Sequence, residues 1–532
     1  MLAKSRAITN TLCALCLLAA PLAAADWLTF GHDPQRSGWA FDETTLSPQN
    51  VAQLELKWKA QVKNEPRSLT ALTTPVVASD VVTAQGVKTL IYVAGSADHL
   101  FALDAANGDL VWSISFETHV LPKDQGMWLC PNGVNATPVI DRGANIIYAV
   151  AVDGRLYGLD LGTGKTKFGP VQFVPAFSKN WSLNLFNGVI YTSISQGCGG
   201  APSGLYSIDL RDPNRSLVRD LVVSRRGGGI WGRGGPVIGR NGRIYASTGD
   251  GDFDPLDGKF SNSVIGASLG SLKLLDYYTP INWRVVSQYD LDMGSSSPVW
   301  LAYRNYNLLA VAGKEAVVYL MDADDLGGKD HQTPLFTVHL ANDEKAFEVK
   351  GVWGGLSTWR GEEDQTWVYV PIWGPVSSDA PTFPQTNGPV PHGSIMAFKV
   401  GLNPATKQPT LEPSWISGDL NLPEPVVIAN GVVFALSTGE NALQTTHGGV
   451  IVNNPNLKLL TDAQRGQDTT NAVLYAMDAK TGKTLYDSGN SMESWVHFSG
   501  LAVANGRIYA VDHDSRVYCF GLKDEKDTKG KK

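Results

Sequence analysis

The feature that leaves this chain least freedom is a short unit that recurs. Its clearest copies are FALDAANGDLVW (101–112), YGLDLGTGKTKF (157–168) and YAMDAKTGKTLY (475–486). Each reads aromatic, small, apolar, Asp, three residues, Gly, three residues, aromatic. The order has a physical meaning. A strand ends at Asp104, Asp160 or Asp478, whose side chain can bond the backbone of the turn that follows. Gly108, Gly164 and Gly482 supply the positive φ such a turn needs. A second strand then leaves and carries Trp112, Phe168 or Tyr486. The unit is a repeated β-hairpin, and repetition fixes architecture before any other signal.

The two ends of the chain complement each other. Residues 54–62 alternate as a strand carrying Trp58, with no inner hairpin before it. Residues 501–522 supply inner strands with no final outer one. Pairing these ends would close a ring and remove two sheet edges. Between them the hairpin pattern can be counted through seven units, and the C-terminal segment makes the eighth. The expectation is an all-β, eight-bladed propeller of four-stranded antiparallel blades over 26–522. Long insertions at 251–260, 377–391 and 444–467 are expected to decorate one face over the central channel. The charged tail 523–532 lacks apolar residues and is expected to be disordered.

Only 18% of residues are charged and the formal net charge is -7. Nothing basic stands ready for nucleic acid or an anionic membrane. Residues 1–25 read as a signal peptide: Lys4 and Arg6, an apolar run too short for a comfortable span, then small residues before a cleavage point at Asp26. The expected location is periplasmic or secreted. Cys130, Cys198 and Cys519 remain beyond the leader. Cys130 and Cys198 lie in loop-like, Gly-rich sequence and are the expected disulfide, while Cys519 reads as a buried strand residue. No CxxCH occurs, so haem c is not expected. Phosphate-loop and HExxH patterns are also missing.

The repeat resembles the pyrroloquinoline quinone (PQQ) repeat. That repeat builds the eight-bladed propellers of quinoprotein alcohol dehydrogenases, and also non-catalytic relatives such as the propeller lipoprotein of the outer-membrane barrel assembly machinery. Fold alone does not give function. The stretch GGGIWGRGGPVIGRNGRIYASTGDGDFDP resembles the dehydrogenase segment with a Trp under the quinone and a later calcium ligand, which implies Trp231 and Asp250. SQYDLDMGSSSPVW resembles the segment with the catalytic Asp, which implies Asp292, with Asp290 second. VAGKEAVVYLMDADDLG resembles the segment with a cation over the quinone oxygens, which implies Lys314.

These residue types make chemical sense together. Trp231 could floor an ortho-quinone. Carboxylates such as Asp250 and Asp252, in the alternating GDGDFDP, could bind Ca2+, which polarises a carbonyl as a Lewis acid. Asp292 could take a hydroxyl proton, and Lys314 could stabilise charge on the reduced cofactor. Arg233, Trp353, Trp373, His392 and His497 are further channel-facing candidates. Two departures from the dehydrogenase pattern stand out. There is no adjacent Cys-Cys pair, and SQGCGGAPSGLYSIDL has no carboxylate before Asp209 where a second calcium ligand is expected. Two readings stay open: a PQQ-dependent dehydrogenase acting on an alcohol with a separate electron acceptor, or a scaffold binding a protein or polymer.

Overall fold

A computed structural model describes residues 25–524 apart from 68, 117–129, 131–133, 135, 213–217, 225–226, 344–349, 442, 444, 446–457 and 459. The expected leader lies outside the described residues except for Ala25, as does 525–532 of the charged tail. Each hairpin repeat forms the outer half of a blade. In the first blade the strands Val76–Thr83, Gly86–Gly95, His99–Asp104 and Leu110–Ser115 pair in sequence order, all antiparallel. Seven more blades follow over 139–172, 184–224, 237–278, 299–339, 357–416, 427–487 and 502–522, the last completed from the N-terminal side. The aspartates act as the sequence predicts. Asp104 Oδ1 accepts from Ala106 N at 2.9 Å, Asp160 Oδ1 from Thr163 N at 3.0 Å, and Asp478 Oδ1 from Thr481 N at 2.9 Å.

The turns also join one blade to the next. Trp58 Nε1 donates to Ala105 O at 3.0 Å, Trp112 Nε1 to Leu161 O at 2.8 Å, and Trp415 Nε1 to Ala479 O at 3.1 Å. In each case the ring on the outermost strand of one blade lies on the Asp-to-Gly turn of the following blade. Gly482 sits at φ +68°, and a Cβ there would collide with the Trp415 ring. The glycine therefore serves both the turn and the docking of the indole. Between blades the core is apolar: Leu90 and Tyr92 of the first pack with Ile147 and Leu159 of the second.

The ring closes as the two ends suggest. Leu54–Gln61 pairs antiparallel with Arg516–Leu522 and becomes the outermost strand of the eighth blade. The segment before it, which reads as loop in the sequence, has a definite task. It runs along the axial edges of the blades in order. Trp27 exchanges hydrogen bonds with Val77, Leu28 O accepts from Ile140 N, Pro34 O from Ile238 N, and Gln35 O from Trp300 N. Ser37 O then accepts from Thr358 N and Gly38 O from Ile428 N, both at 2.8 Å. Arg36 donates to Leu183 O at 2.9 Å in the third blade, and Glu43 accepts from Gly506 N at 2.7 Å in the eighth. One segment thus satisfies a backbone group on or beside the first strand of all eight blades. Arg36 is buried, and burial lowers its pKa to about 9 despite Asp33 nearby.

Cys130 and Cys198 form the expected disulfide, and Cys519 is buried in its strand. The insertions correct an expectation. Only 444–467 reaches the central cavity, through Arg465, while neither 251–260 nor 377–391 lines it. Instead Gln385–Thr386 pairs parallel with Trp415 and Ile416 at the outer edge of the sixth blade, because that strand still has free ladder groups to satisfy. Among the described residues no helix is long and apolar enough to cross a membrane.

The Trp415→Ala substitution should cost about 3–5 kcal/mol, because it removes a buried ring, its hydrogen bond and an inter-blade contact together. Thermal and denaturant unfolding of the variant beside the parent chain check this. A surface aromatic such as Phe41, which is 59% exposed, should change stability far less when truncated.

Candidate functional site

Within an antiparallel blade, the start of the first strand and the end of the second lie at the same end. The chemistry-bearing residues cluster at those positions. Trp231 and Arg233 precede Val237–Ile238, and Asp250 follows Arg243–Ser247. Asp290 and Asp292 precede Val299–Tyr303, and Lys314 follows Tyr306–Ala312. All six line one cavity of about 230 Å³ at the mouth of the channel.

Three carboxylates meet there. Ligand oxygens of Asp250, Asp290 and Asp292 lie within 4.8 Å of one another. Lys314 Nζ stands 2.7 Å from Asp290 Oδ1 and 2.9 Å from Asp292 Oδ1. Trp231 Nε1 donates to Asp292 Oδ2 at 2.6 Å. Asp292 Oδ1 is buried and close to the ammonium but outside hydrogen-bond alignment with it. Gly249 makes this packing possible, since a Cβ there would stand 2.5 Å from Asp292 Oδ2 and 3.1 Å from Trp231 Nε1. The Lys314 ammonium also lies 4.9 Å from the Trp231 ring centre and 5.0 Å from that of Trp353.

The electrostatics are unbalanced. Three carboxylates face one ammonium, a local excess of two negative charges if all ionise. Burial, then Asp292 and Asp290, push the Asp250 carboxyl far above its ordinary range. Burial also raises Asp292, with Lys314 opposing. Burial works against the charged form of Lys314, but Asp290, Asp292 and Asp250 outweigh it and hold the pKa above that of a free lysine. A divalent cation is the species whose charge would balance this donor set, and hard oxygen ligands suit Ca2+. Asp252 takes no part: the chain bends at Asp250 and Gly251 bridges to Gly227, which leaves Asp252 exposed and outside the cluster. Asp290 is the third carboxylate instead, held at φ +53° in the left-handed region.

The rest of the cavity wall is aromatic and charged. Trp353 stacks on Trp373 with ring centres 4.6 Å apart, and Phe498 completes the group with Trp231. Across the cavity, His497 Nδ1 lies 2.8 Å from Glu440 Oε2, and Arg465 pairs with Glu440 Oε1 at 3.3 Å. His497 and the two tryptophans therefore do face the cavity, as the sequence suggests. His392 does not: it is exposed and held by Asp419 at 2.6 Å, since its loop runs outward beside the sixth blade. Lys179, Trp181, Gln196, Glu440, Arg465 and Phe498 line the cavity without having been legible as site residues. A weak sign was available for Lys179 and Trp181, as KNW stands just before a first strand. No vicinal Cys-Cys wall is present, and the Cys130–Cys198 bridge does not line the cavity.

Residues 27–188 match the family described as PQQ: glucose/ethanol/alcohol dehydrogenase, beta-propeller domain. The structure is similar to the quinohemoprotein alcohol dehydrogenase of Comamonas testosteroni, with a TM-score of 0.57, 14% identity, and coverage of 94% of this chain and 81% of that one. It is similar to a europium-containing methanol dehydrogenase, with a TM-score of 0.56, 12% identity, and coverage of 94% and 98%. A third similar structure is the quinohemoprotein alcohol dehydrogenase ADHIIG of Pseudomonas putida HK5, at a TM-score of 0.57 and 13% identity, covering 94% of this chain and 80% of that one. At these identities the likeness is one of fold. No curated protein matches the sequence significantly.

The carboxylate excess has a measurable sign. A raised carboxyl pKa in the folded state means that stability falls as pH climbs above the unfolded value of about 4. In metal-free protein Asp250→Asn should therefore raise the melting temperature, and its advantage should grow from acid toward alkaline pH. Calcium should stabilise the parent chain more than Asp250→Asn. Melting curves across pH, with chelator and with calcium, test both statements.

Proposed function

We propose, from the premise that the chain is a PQQ-repeat eight-bladed propeller, that it is a quinoprotein dehydrogenase exported from the cytoplasm and acting on an alcohol-type substrate. The observation that carries this reading is the Asp250–Asp290–Asp292 cluster with its single lysine, set against Trp231 in an aromatic cavity. The donor set fits a divalent cation by charge and by oxygen type. The walls fit a flat, anionic cofactor: Trp231, Trp181 and Trp353 offer ring faces or edges, and Lys314, Arg233 and Lys179 offer positive charge. When bound, PQQ would supply a two-electron acceptor and calcium a Lewis acid.

The residues of the chain would then divide the work. Trp231 would support the cofactor plane while its Nε1 fixes Asp292 through Oδ2. Asp292 would accept the substrate hydroxyl proton at Oδ1, the oxygen that makes no aligned hydrogen bond. Its raised pKa makes it a better proton acceptor than an ordinary aspartate. Lys314 would stabilise negative charge as it develops nearby, held in place by Asp290 and Asp292. Asp250 and Asp290 would keep the cation, and the aromatic group of Trp353, Trp373 and Phe498 would exclude water from one side. Electrons would leave to a separate acceptor, since the sequence carries no CxxCH.

Titration of the protein with PQQ, with and without calcium, tests this reading through tryptophan quenching and quinone absorbance. Saturable, calcium-dependent binding that is lost in Trp231→Ala is the expected result. With an artificial electron acceptor, Asp292→Asn should lower kcat for a responsive alcohol by about a hundredfold or more while PQQ still binds. A chain that ignores micromolar PQQ would count against the dehydrogenase and leave the propeller as a binding scaffold.

A further inference from the structure

The cavity holds a second charged feature, on the wall opposite in sign to the aspartates. Lys179 and Arg233 are only 7% and 4% exposed. Both flank the Trp181 ring, with Lys179 Nζ 5.2 Å and the Arg233 guanidinium carbon 5.8 Å from its centre. The indole is fixed by a 2.7 Å hydrogen bond from Nε1 to Ser195 Oγ. Among the described residues neither cation's side chain makes a hydrogen bond or an ion pair, and Arg233 Nε is a buried donor with no acceptor.

Their surroundings compensate them only in part. The charged group nearest to Lys179 in effect is Arg233, of like sign. Burial, then Arg233, lowers the Lys179 pKa to about 7. Arg233 feels the charge of Glu424, which makes no direct ion pair with it and accepts from the backbone N–H groups of Ser499 and Gly500. Two buried cations side by side, with no carboxylate in direct contact with either among the described residues, are expensive to hold. A site that keeps them, open to a cavity and split by a fixed ring, is built for an anion that arrives from outside.

We propose that Lys179 and Arg233 form a carboxylate clamp at the Trp181 wall of the cavity. The Arg233 fork matches a planar carboxylate, Lys179 adds a point charge, and Trp181 offers an apolar surface to the carbon that bears the group. The carboxylate can belong to a planar cofactor or to a carboxylate-bearing substrate. The clamp stands on these side chains alone and does not require the cofactor reading.

Thermal unfolding of the full chain at constant ionic strength, titrated with succinate or with PQQ, tests the clamp. The parent chain should be stabilised saturably by at least one of the two. Lys179→Met and Arg233→Met should each weaken that binding about tenfold or more, and Lys179→Met should melt no lower than the parent without ligand, because a buried amine facing a like charge has gone. A response to PQQ but not succinate assigns the carboxylate to the cofactor, and a response to succinate assigns it to a substrate. A chain that ignores PQQ yet answers succinate through Lys179 would sink the cofactor reading and keep the clamp. Three results would overturn the clamp: no stabilisation by either probe, unchanged affinity in Lys179→Met, or a clear loss of ligand-free stability in that variant. If Arg233→Met fails to fold, Lys179→Met and the parent titrations still decide.

Discussion

Everything in this molecule depends on how the inner edges of eight blades are satisfied. A propeller brings the first strand of each blade to the axis, where unpaired N–H and C=O groups face a narrow space. Left bare, such edges would be a liability in folding and a place for other chains to pair. The segment from Trp27 to Glu43 meets that need by touching the blades in turn, from Val77 through Ile428 to Gly506. It also brings Phe30 against the turn of Gly234 and against Gly500. The segment therefore ties the part of the chain that carries Trp231 and Arg233 to the axis of the ring.

The second constraint is lateral. The indoles of Trp58, Trp112 and Trp415 each reach across to the turn of the next blade and bond a carbonyl beside its aspartate. The same Asp and Gly that shape the turn thus prepare the surface that the neighbouring blade grips. Because strand direction alternates within a blade, such a ring presents all entrances to first strands and all exits from second strands at one end. Chemistry written at those positions converges whatever its distance in sequence. Asp250, Asp292 and Lys314 meet for this reason, although each comes from a different connection.

Charge in the cavity is segregated rather than neutralised. The aspartates crowd around Lys314 between the fourth and fifth blades, and Lys179 and Arg233 sit together between the third and fourth. Glu440, His497 and Arg465 form a balanced group near the seventh and eighth. Only the balanced group looks like structure for its own sake. The other two hold like charges close under low solvent exposure, an arrangement that favours partners of opposite sign: a cation at one wall and an anion at the other. Residues in left-handed conformations at the same mouth, Gln196, Asp290 and Phe498, belong with this picture, since local strain persists where the surroundings over-determine it.

Much of the fold was written locally and could be read. The Asp-x-x-x-Gly unit encodes its own turn, aromatic spacing encodes the outer strand, and two incomplete ends encode closure. Trp231, Asp250, Asp292 and Lys314 could be named because the stretches that carry them resemble those of quinoprotein dehydrogenases, and Cys130 and Cys198 because no other loop thiols remained. What the sequence could not hold is distance across the ring. Asp252 looked like a partner of Asp250 because it is two residues away, but the bend at Asp250 leaves it in solvent and tertiary structure brings Asp290 instead. Lys179 carries only a weak signal of its own in the sequence, and only the fold sets Arg233 beside it. The N-terminal segment looked like loop because its partners are scattered over eight blades. Local hydrogen bonding and side-chain period are properties of neighbours along the chain. Charge balance and edge satisfaction are properties of neighbours in space, and only the closed ring decides who those are.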